Sequence, residues 1–183
     1  IGYGRAASAL SELTGFRVSL EVPRVAIEDI PGIAPKLATV MTGEIASVNQ
    51  VFAGSISGNA MLLLNQESAI VLSRLFDDDR SQIRGFDSSA REVVTEIGNI
   101  LLNACLGVFG NLLQVQVSFA VPRLQVETIH DLLRSVTVNT KDRLTHGLMI
   151  QTRFHLRASD VSGYLVIILG ITSLDRLLKE LSL

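Results

Sequence analysis

Apolar residues change their spacing along this chain, and the changes mark out its elements. In "GRAASALSELTG" they recur every three or four residues up to Gly15, which predicts a helix closed by a glycine C-terminal cap. "RVSLEV" then alternates as a strand, "IEDIPGIAPKLATV" supplies a turn and a short helix, and "GEIASVNQVFAG" and "SGNAMLLLN" read as a hairpin broken at Gly54 and Ser55. The helical "ESAIVLSRLF" follows, and "DDDRSQIRGFD" is the one good linker. Beyond it, "DSS" is an N-cap cluster opening a long helix, "SSAREVVTEIGNILLNACLGVFGNLL". "VQVSFAV", "GLMIQTRFHLRA" and "GYLVIIL" then read as strands and "DRLLKELSL" as a closing helix.

The pattern repeats. "EVPRV" at 21 to 25 returns as "AVPRL" at 120 to 124, an offset of 99, and "SGNAMLLL" at 57 to 64 returns as "SGYLVIIL" at 162 to 169, an offset of 105. Each of the latter pair precedes a helical segment, "ESAIVLSRLF" or "TSLDRLLKEL". The unit is a long helix, a strand ending in Val-Pro-Arg, a short helical turn, two hairpin strands and a closing helix. The fold expected is α+β, with two pseudo-twofold-related repeats (1–84 and 85–183) in a single domain spanning 1–183. They would form one mostly antiparallel sheet of about six strands covered by long helices.

The long helix carries polar groups that its apolar character does not call for. At about 100° per residue, Glu92, Glu96, Asn99 and Asn103 fall within roughly 60° of one another. Val94, Ile97, Leu101, Ala104, Cys105, Val108 and Leu112 gather opposite them in an arc of about 100°. A solvated side is enough to explain such a stripe on one helix. Its position in the repeat adds meaning, because 22 residues separate Asn99 from Pro122, and the same count back from Pro23 lands just before Ile1.

Composition narrows the functions. A chain of 183 residues can bury about 70% of its unfolded surface without metals or disulfides. Aromatics are 5% with no Trp, against 48% hydrophobic residues, so the core is aliphatic and offers no platform for stacking bases. A net charge of −2 without a basic stripe argues against nucleic acid and anionic lipid as partners. The longest apolar run, "YLVIILGI", is far short of the ~20 residues that cross a bilayer and reads as a buried strand. The single Cys105 and the lack of a signal-peptide pattern point to a cytoplasmic protein, and the start at Ile1 to a chain that begins further upstream.

"EVVTEIGN", followed after 22 residues by Pro122, resembles the motif of the CheC, CheX and FliY group of chemotaxis phosphatases. That motif is Asp or Ser, three residues, Glu, two residues, Asn, 22 residues, Pro. Glu96, Asn99 and Pro122 fit, while Glu92 stands where Asp or Ser is usual. The opening "IGYGRAASALSELTG" is similar to the family's first motif helix cut just after its Asn, so Glu-x-x-Asn is expected immediately before Ile1. The likeness covers the whole chain and is strongest to CheC. It implies hydrolysis of the aspartyl phosphate of a CheY-type response regulator, with Glu96 and Asn99 as the catalytic pair.

The phosphorylated regulator is then the partner, and CheD, the receptor deamidase, is a second one. The resemblance implies no cofactor bound by this chain, with Mg²⁺ belonging to the regulator. An amide suits the remaining task, since Asn99 can accept from a water with its carbonyl and donate to a phosphoryl oxygen with its NH₂. Glu96, one turn earlier, is placed to pair with a cation on the regulator. A docking module without turnover is the alternative. A flagellar switch component is less favoured, because FliY proteins carry a further C-terminal domain and this chain ends at Leu183.

Other candidates read as structural. His130, His146 and His155 have no shared metal spacing, and Asp77, Asp78 and Asp79 lack the ligand alternation of a calcium loop. Cys105 reads as a buried thiol, Gly2 and Gly4 as close-packing positions, and Pro23 and Pro122 as strand-edge landmarks flanked by solvent-facing Arg24 and Arg123.

Overall fold

Among the described residues, eight strand segments fill six places in one antiparallel sheet. The computed structural model describes residues 2–15, 17–21, 24–76, 85–112, 114–138, 144–156 and 159–170, with positions 175 and 179. The strands are β1 (Val18–Leu20), β2 (Arg24–Asp29), β3 (Ile45–Gly54), β4 (Gly58–Asn65), β5 (Val117–Phe119), β6 (Arg123–Glu127), β7 (Leu144–Leu156) and β8 (Ser159–Gly170). Among the described residues five helices accompany them: α1 (Gly2–Thr14), α2 (Ile30–Ala38), α3 (Gln66–Phe76), α4 (Ser88–Leu112) and α5 (Ile129–Val138). β1 and β2 both pair with β7, which leads through β8, β4 and β3 to β5 and β6 at the far edge. The expected α+β fold with about six strands is thus observed, counted as places in the sheet.

The Val-Pro-Arg segment at 121–123 interrupts its edge strand and does not end it, contrary to the sequence reading. Phe119 faces Phe52 and Arg123 faces Asn49, so Ala120, Val121 and Pro122 lie opposite only Gln50 and Val51. This is a one-residue bulge, and Pro122, which has no N–H, is tolerated there because an edge bulge needs no ladder donor from it. The same offset separates β1 and β2 against β7, where Leu20 faces Phe154 and Arg24 faces Gln151. Elements recur at a distance of 99 residues: β1 and β5, β2 and β6, and α2 and α5 begin at 18 and 117, 24 and 123, 30 and 129. Gly15 (φ 67°) and Gln114 (φ 51°), just past α1 and α4, hold left-handed backbone at the same spacing.

Two cores flank the sheet. On one face α1, α3 and α4 pack over Val48, Phe52, Leu62, Leu64, Leu165 and Ile167; on the other α2 and α5 cover Ile45, Met61, Leu63, Val166 and Ile168. Alternate residues of β4 and β8 serve opposite cores, which is why "AMLLL" and "LVIIL" are unbroken apolar runs. Asp87 caps the start of α4, its Oδ1 accepting from the Ala90 N–H at 3.0 Å, as the "DSS" cluster predicts. No helix among the described residues is long and apolar enough to cross a membrane.

Two expectations change. Gly4 is exposed, with open space where a Cβ would stand, so close packing does not account for it. The apolar arc of α4 is wider than expected, because α4 packs on α1 and α3 as well as on β3 and β4. Leu102 and Leu106 are therefore buried beside Ile97 and Leu101, whereas Ala104 and Val108 are only partly so. Pro23, Asp77, Asp78, Asp79 and most of the expected closing helix lie outside the described residues.

Candidate functional site

α4 runs along β3, and one glycine sets how closely. A Cβ at Gly98 would lie 2.6 Å from Val48 Cγ1, 2.8 Å from Val48 Cβ and 3.0 Å from Val48 Cγ2, so only glycine lets the helix sit at this depth. Five residues further along α4, Asn103 meets Gln50, two residues beyond Val48 on β3. Five helical and two extended residues both advance about 7 Å, so helix and strand run nearly side by side here.

The polar stripe therefore passes from solvent into a cleft. Glu92 and Glu96 are exposed, whereas Asn99 and Asn103 are half-buried. Asn103 Nδ2 donates to Asn99 Oδ1 at 2.7 Å. Gln50 Nε2 donates to Asn103 Oδ1 at 3.2 Å and to the Ala120 carbonyl, inside the β5–β6 bulge, at 3.1 Å. Gln50 is 2% exposed, and its Oε1 is buried without a hydrogen-bond partner. Asn99 Nδ2 makes no hydrogen bond among the described residues.

Beside the stripe lies an open groove of about 590 Å³ between Arg91, Glu92, Thr95 and Glu96 on α4 and the edge residues Pro122 to Gln125. Asn99 stands one turn beyond Glu96, past the end of this groove. Glu96 forms no ion pair among the described residues, and Arg91 lies over the Phe86 ring at 5.4 Å. The site thus presents a free carboxylate and an amide with its carbonyl engaged, on a rigid helix at an accessible edge. Its groove is lined by no Ser, Cys or Lys among the described residues. Among the described residues no cluster of His, Cys, Asp and Glu could hold a metal ion.

The structure places Glu96 and Asn99 on one face of one helix and brings Pro122 to the neighbouring groove wall. Sequence reading missed Gln50 and Gly98. Gln50 had a signal, since it shares the phase of Val48 and Phe52, both buried, on an otherwise apolar face of β3. Gly98 lies inside the motif and could be read only with β3 in view.

Cys105 is buried on the same helix, and desolvation pushes its thiol up to about 12 from the ordinary 9.0. The raised value means that the folded state keeps a proton the unfolded chain loses, so stability falls as pH rises from about 9 toward 12. Iodoacetamide at pH 8 is expected to leave Cys105 unmodified in the native protein and to label it fully in urea; mass spectrometry reads both.

No protein-family model and no curated protein matches the chain. Solved structures do. FliY from Thermotoga maritima is similar over 100% of this chain and 90% of that one, with a TM-score of 0.76 and 16% identity. The FliG–FliM complex from H. pylori matches over 97% of this chain and 91% of that one, with a TM-score of 0.60 and 14% identity. The chemotaxis protein CheX from Desulfovibrio desulfuricans matches over 92% and 96%, with a TM-score of 0.55 and 11% identity. This likeness does not single out CheC. The chain has the CheC/CheX/FliY-like fold, which the FliM of that complex shares.

Proposed function

We propose that this chain hydrolyses the aspartyl phosphate of a CheY-type response regulator, with Asn99 orienting the attacking water and Glu96 docking the regulator. The observation that carries this reading is the pairing of a free Glu96 carboxylate with a fixed Asn99 amide one turn later on the same accessible face of α4. An acyl phosphate is already activated, and the regulator brings its own Mg²⁺, lysine and phosphoryl group. What this chain adds is geometry: a spare lone pair on Asn99 Oδ1 for the water and the outward Nδ2 for a phosphoryl oxygen. The chain holds no cofactor in this scheme.

Turnover of phosphorylated regulator by substoichiometric protein is the test. Many phosphoryl groups lost per protein molecule are expected, and no more than spontaneous loss refutes the proposal. Glu96→Lys reverses the docking charge and is expected to raise KM about tenfold while kcat at saturating regulator stays within a few-fold, an effect that fades as salt is added. A second reading, docking without turnover to a regulator or to CheD, is supported by the likeness to the FliM of a FliG–FliM complex. It predicts regulator binding that Glu96→Lys weakens, with no acceleration of phosphoryl loss.

A further inference from the structure

We infer that Gln50 and Asn103 are positioning residues that decide which atom of the Asn99 amide faces outward; only the catalytic consequence rests on the phosphatase reading. The decisive contact is at the sheet edge. The Ala120 carbonyl can only accept, so the atom of Gln50 that approaches it at 3.1 Å is the NH₂ nitrogen. That same nitrogen reaches Asn103 at 3.2 Å, so Asn103 turns its oxygen toward Gln50 and its NH₂ toward Asn99, 2.7 Å away. Asn99 must accept there, and its own NH₂ is left facing out. Donation thus runs one way along the three amides, from Gln50 through Asn103 to Asn99, while the Gln50 NH₂ also donates to the bulge carbonyl of Ala120. Reversing any one of them sets oxygen against oxygen or NH₂ against NH₂.

The relay has a cost, which is the Gln50 Oε1 left buried without a partner. A buried unpaired acceptor calls for an explanation, and an obligation on the NH₂ at the other side of the same amide supplies one. The relay is also confined to one half of the molecule. At the offset of 99 the place of Asn103 holds Gly4, and by register on β7 the place of Gln50 holds Thr152, neither of which is an amide.

The test uses one reversal and one deletion. Asn103→Asp keeps the shape but can only accept, so it takes the Gln50 NH₂ on one side and draws the Asn99 NH₂ inward on the other. Side-chain amide NMR of the intact protein reads this directly. In the wild type the Gln50 and Asn103 NH₂ protons are expected to be protected from solvent exchange and those of Asn99 to exchange freely. In Asn103→Asp the Asn99 NH₂ exchange is expected to slow about tenfold or more. The kcat for phosphoryl loss is expected to fall about 100-fold with KM within about twofold, and Gln50→Met, which adds no charge, to lower kcat about tenfold with the same split.

Fast exchange of the Asn103 NH₂ in the wild type, or an Asn99 exchange rate unchanged by Asn103→Asp, overturns the relay. A wild-type protein that shows the expected exchange pattern but no turnover supports the relay and sinks the phosphatase reading alone.

Discussion

Asn99→Ala is expected to lower kcat for dephosphorylation of a CheY-type regulator by about 10²–10³-fold, the range seen when one preorganised donor at a developing charge is removed. The loss should be chemical and not structural. Asn99 is half-buried, and its one side-chain hydrogen bond among the described residues, with Asn103, is an i,i+4 pair of the kind that adds about 0.2–0.5 kcal/mol to a helix. Thermal stability should therefore hardly move, and regulator affinity should hold because Glu96 is untouched. Asn99→Asp sharpens the test. The carboxylate can still accept from Asn103 Nδ2 and from a water, but it cannot donate to a phosphoryl oxygen and it repels one. It should fail as fully as alanine does. Single-turnover measurement with saturating phosphorylated regulator separates the chemical step from binding, and near-full activity of either variant would remove Asn99 from the mechanism.

Much of this arrangement could be read in the chain. The 99-residue recurrence, the hairpin of β3 and β4, the Asp87 cap and the shared face of Glu96 and Asn99 all follow from local spacing, which sequence records directly. What escaped is of a different kind. The Val-Pro-Arg segments looked like strand ends because proline lacks a donor, yet an edge strand can skip one residue and resume against the same neighbour. The engaged state of the Asn99 carbonyl depends on Gln50, 49 positions earlier in the chain, and on a backbone carbonyl exposed by that bulge. The depth of α4 depends on the meeting of Gly98 with Val48, which no helical wheel contains. Periodicity assigns faces; it is silent on which partner each face meets and at what distance. The shared face of Glu96 and Asn99 was therefore legible, and the contacts that set the depth of α4 and the state of the Asn99 amide were not.

Gly98 yields the second large effect, and its sign is opposite to what helix propensity alone predicts. Replacing a helix-interior glycine by alanine normally stabilises by up to about 1 kcal/mol. Gly107, on the same helix with nothing within 4 Å of a Cβ position, should behave that way. At Gly98 the new methyl would stand 2.6 to 3.0 Å from three side-chain atoms of Val48. One of them is the Val48 Cβ itself, which no rotation about χ1 can move, and Val48 is fully buried. Overpacking of this kind costs about 1–3 kcal/mol, so the clash outweighs the propensity gain. Gly98→Ala should melt several degrees below wild type, at about 2–4 °C per kcal/mol for a chain this long, while Gly107→Ala melts slightly above it. The helix can relieve the clash only by lifting from β3, which lengthens the 3.2 Å reach from Gln50 to Asn103 and loosens the amide of Asn99. Gly98→Ala should therefore lose kcat as well as stability, even at a temperature where it is fully folded. Equal melting of the two glycine variants, or full turnover by Gly98→Ala, would mean that the depth of α4 is not what holds Asn99 in place.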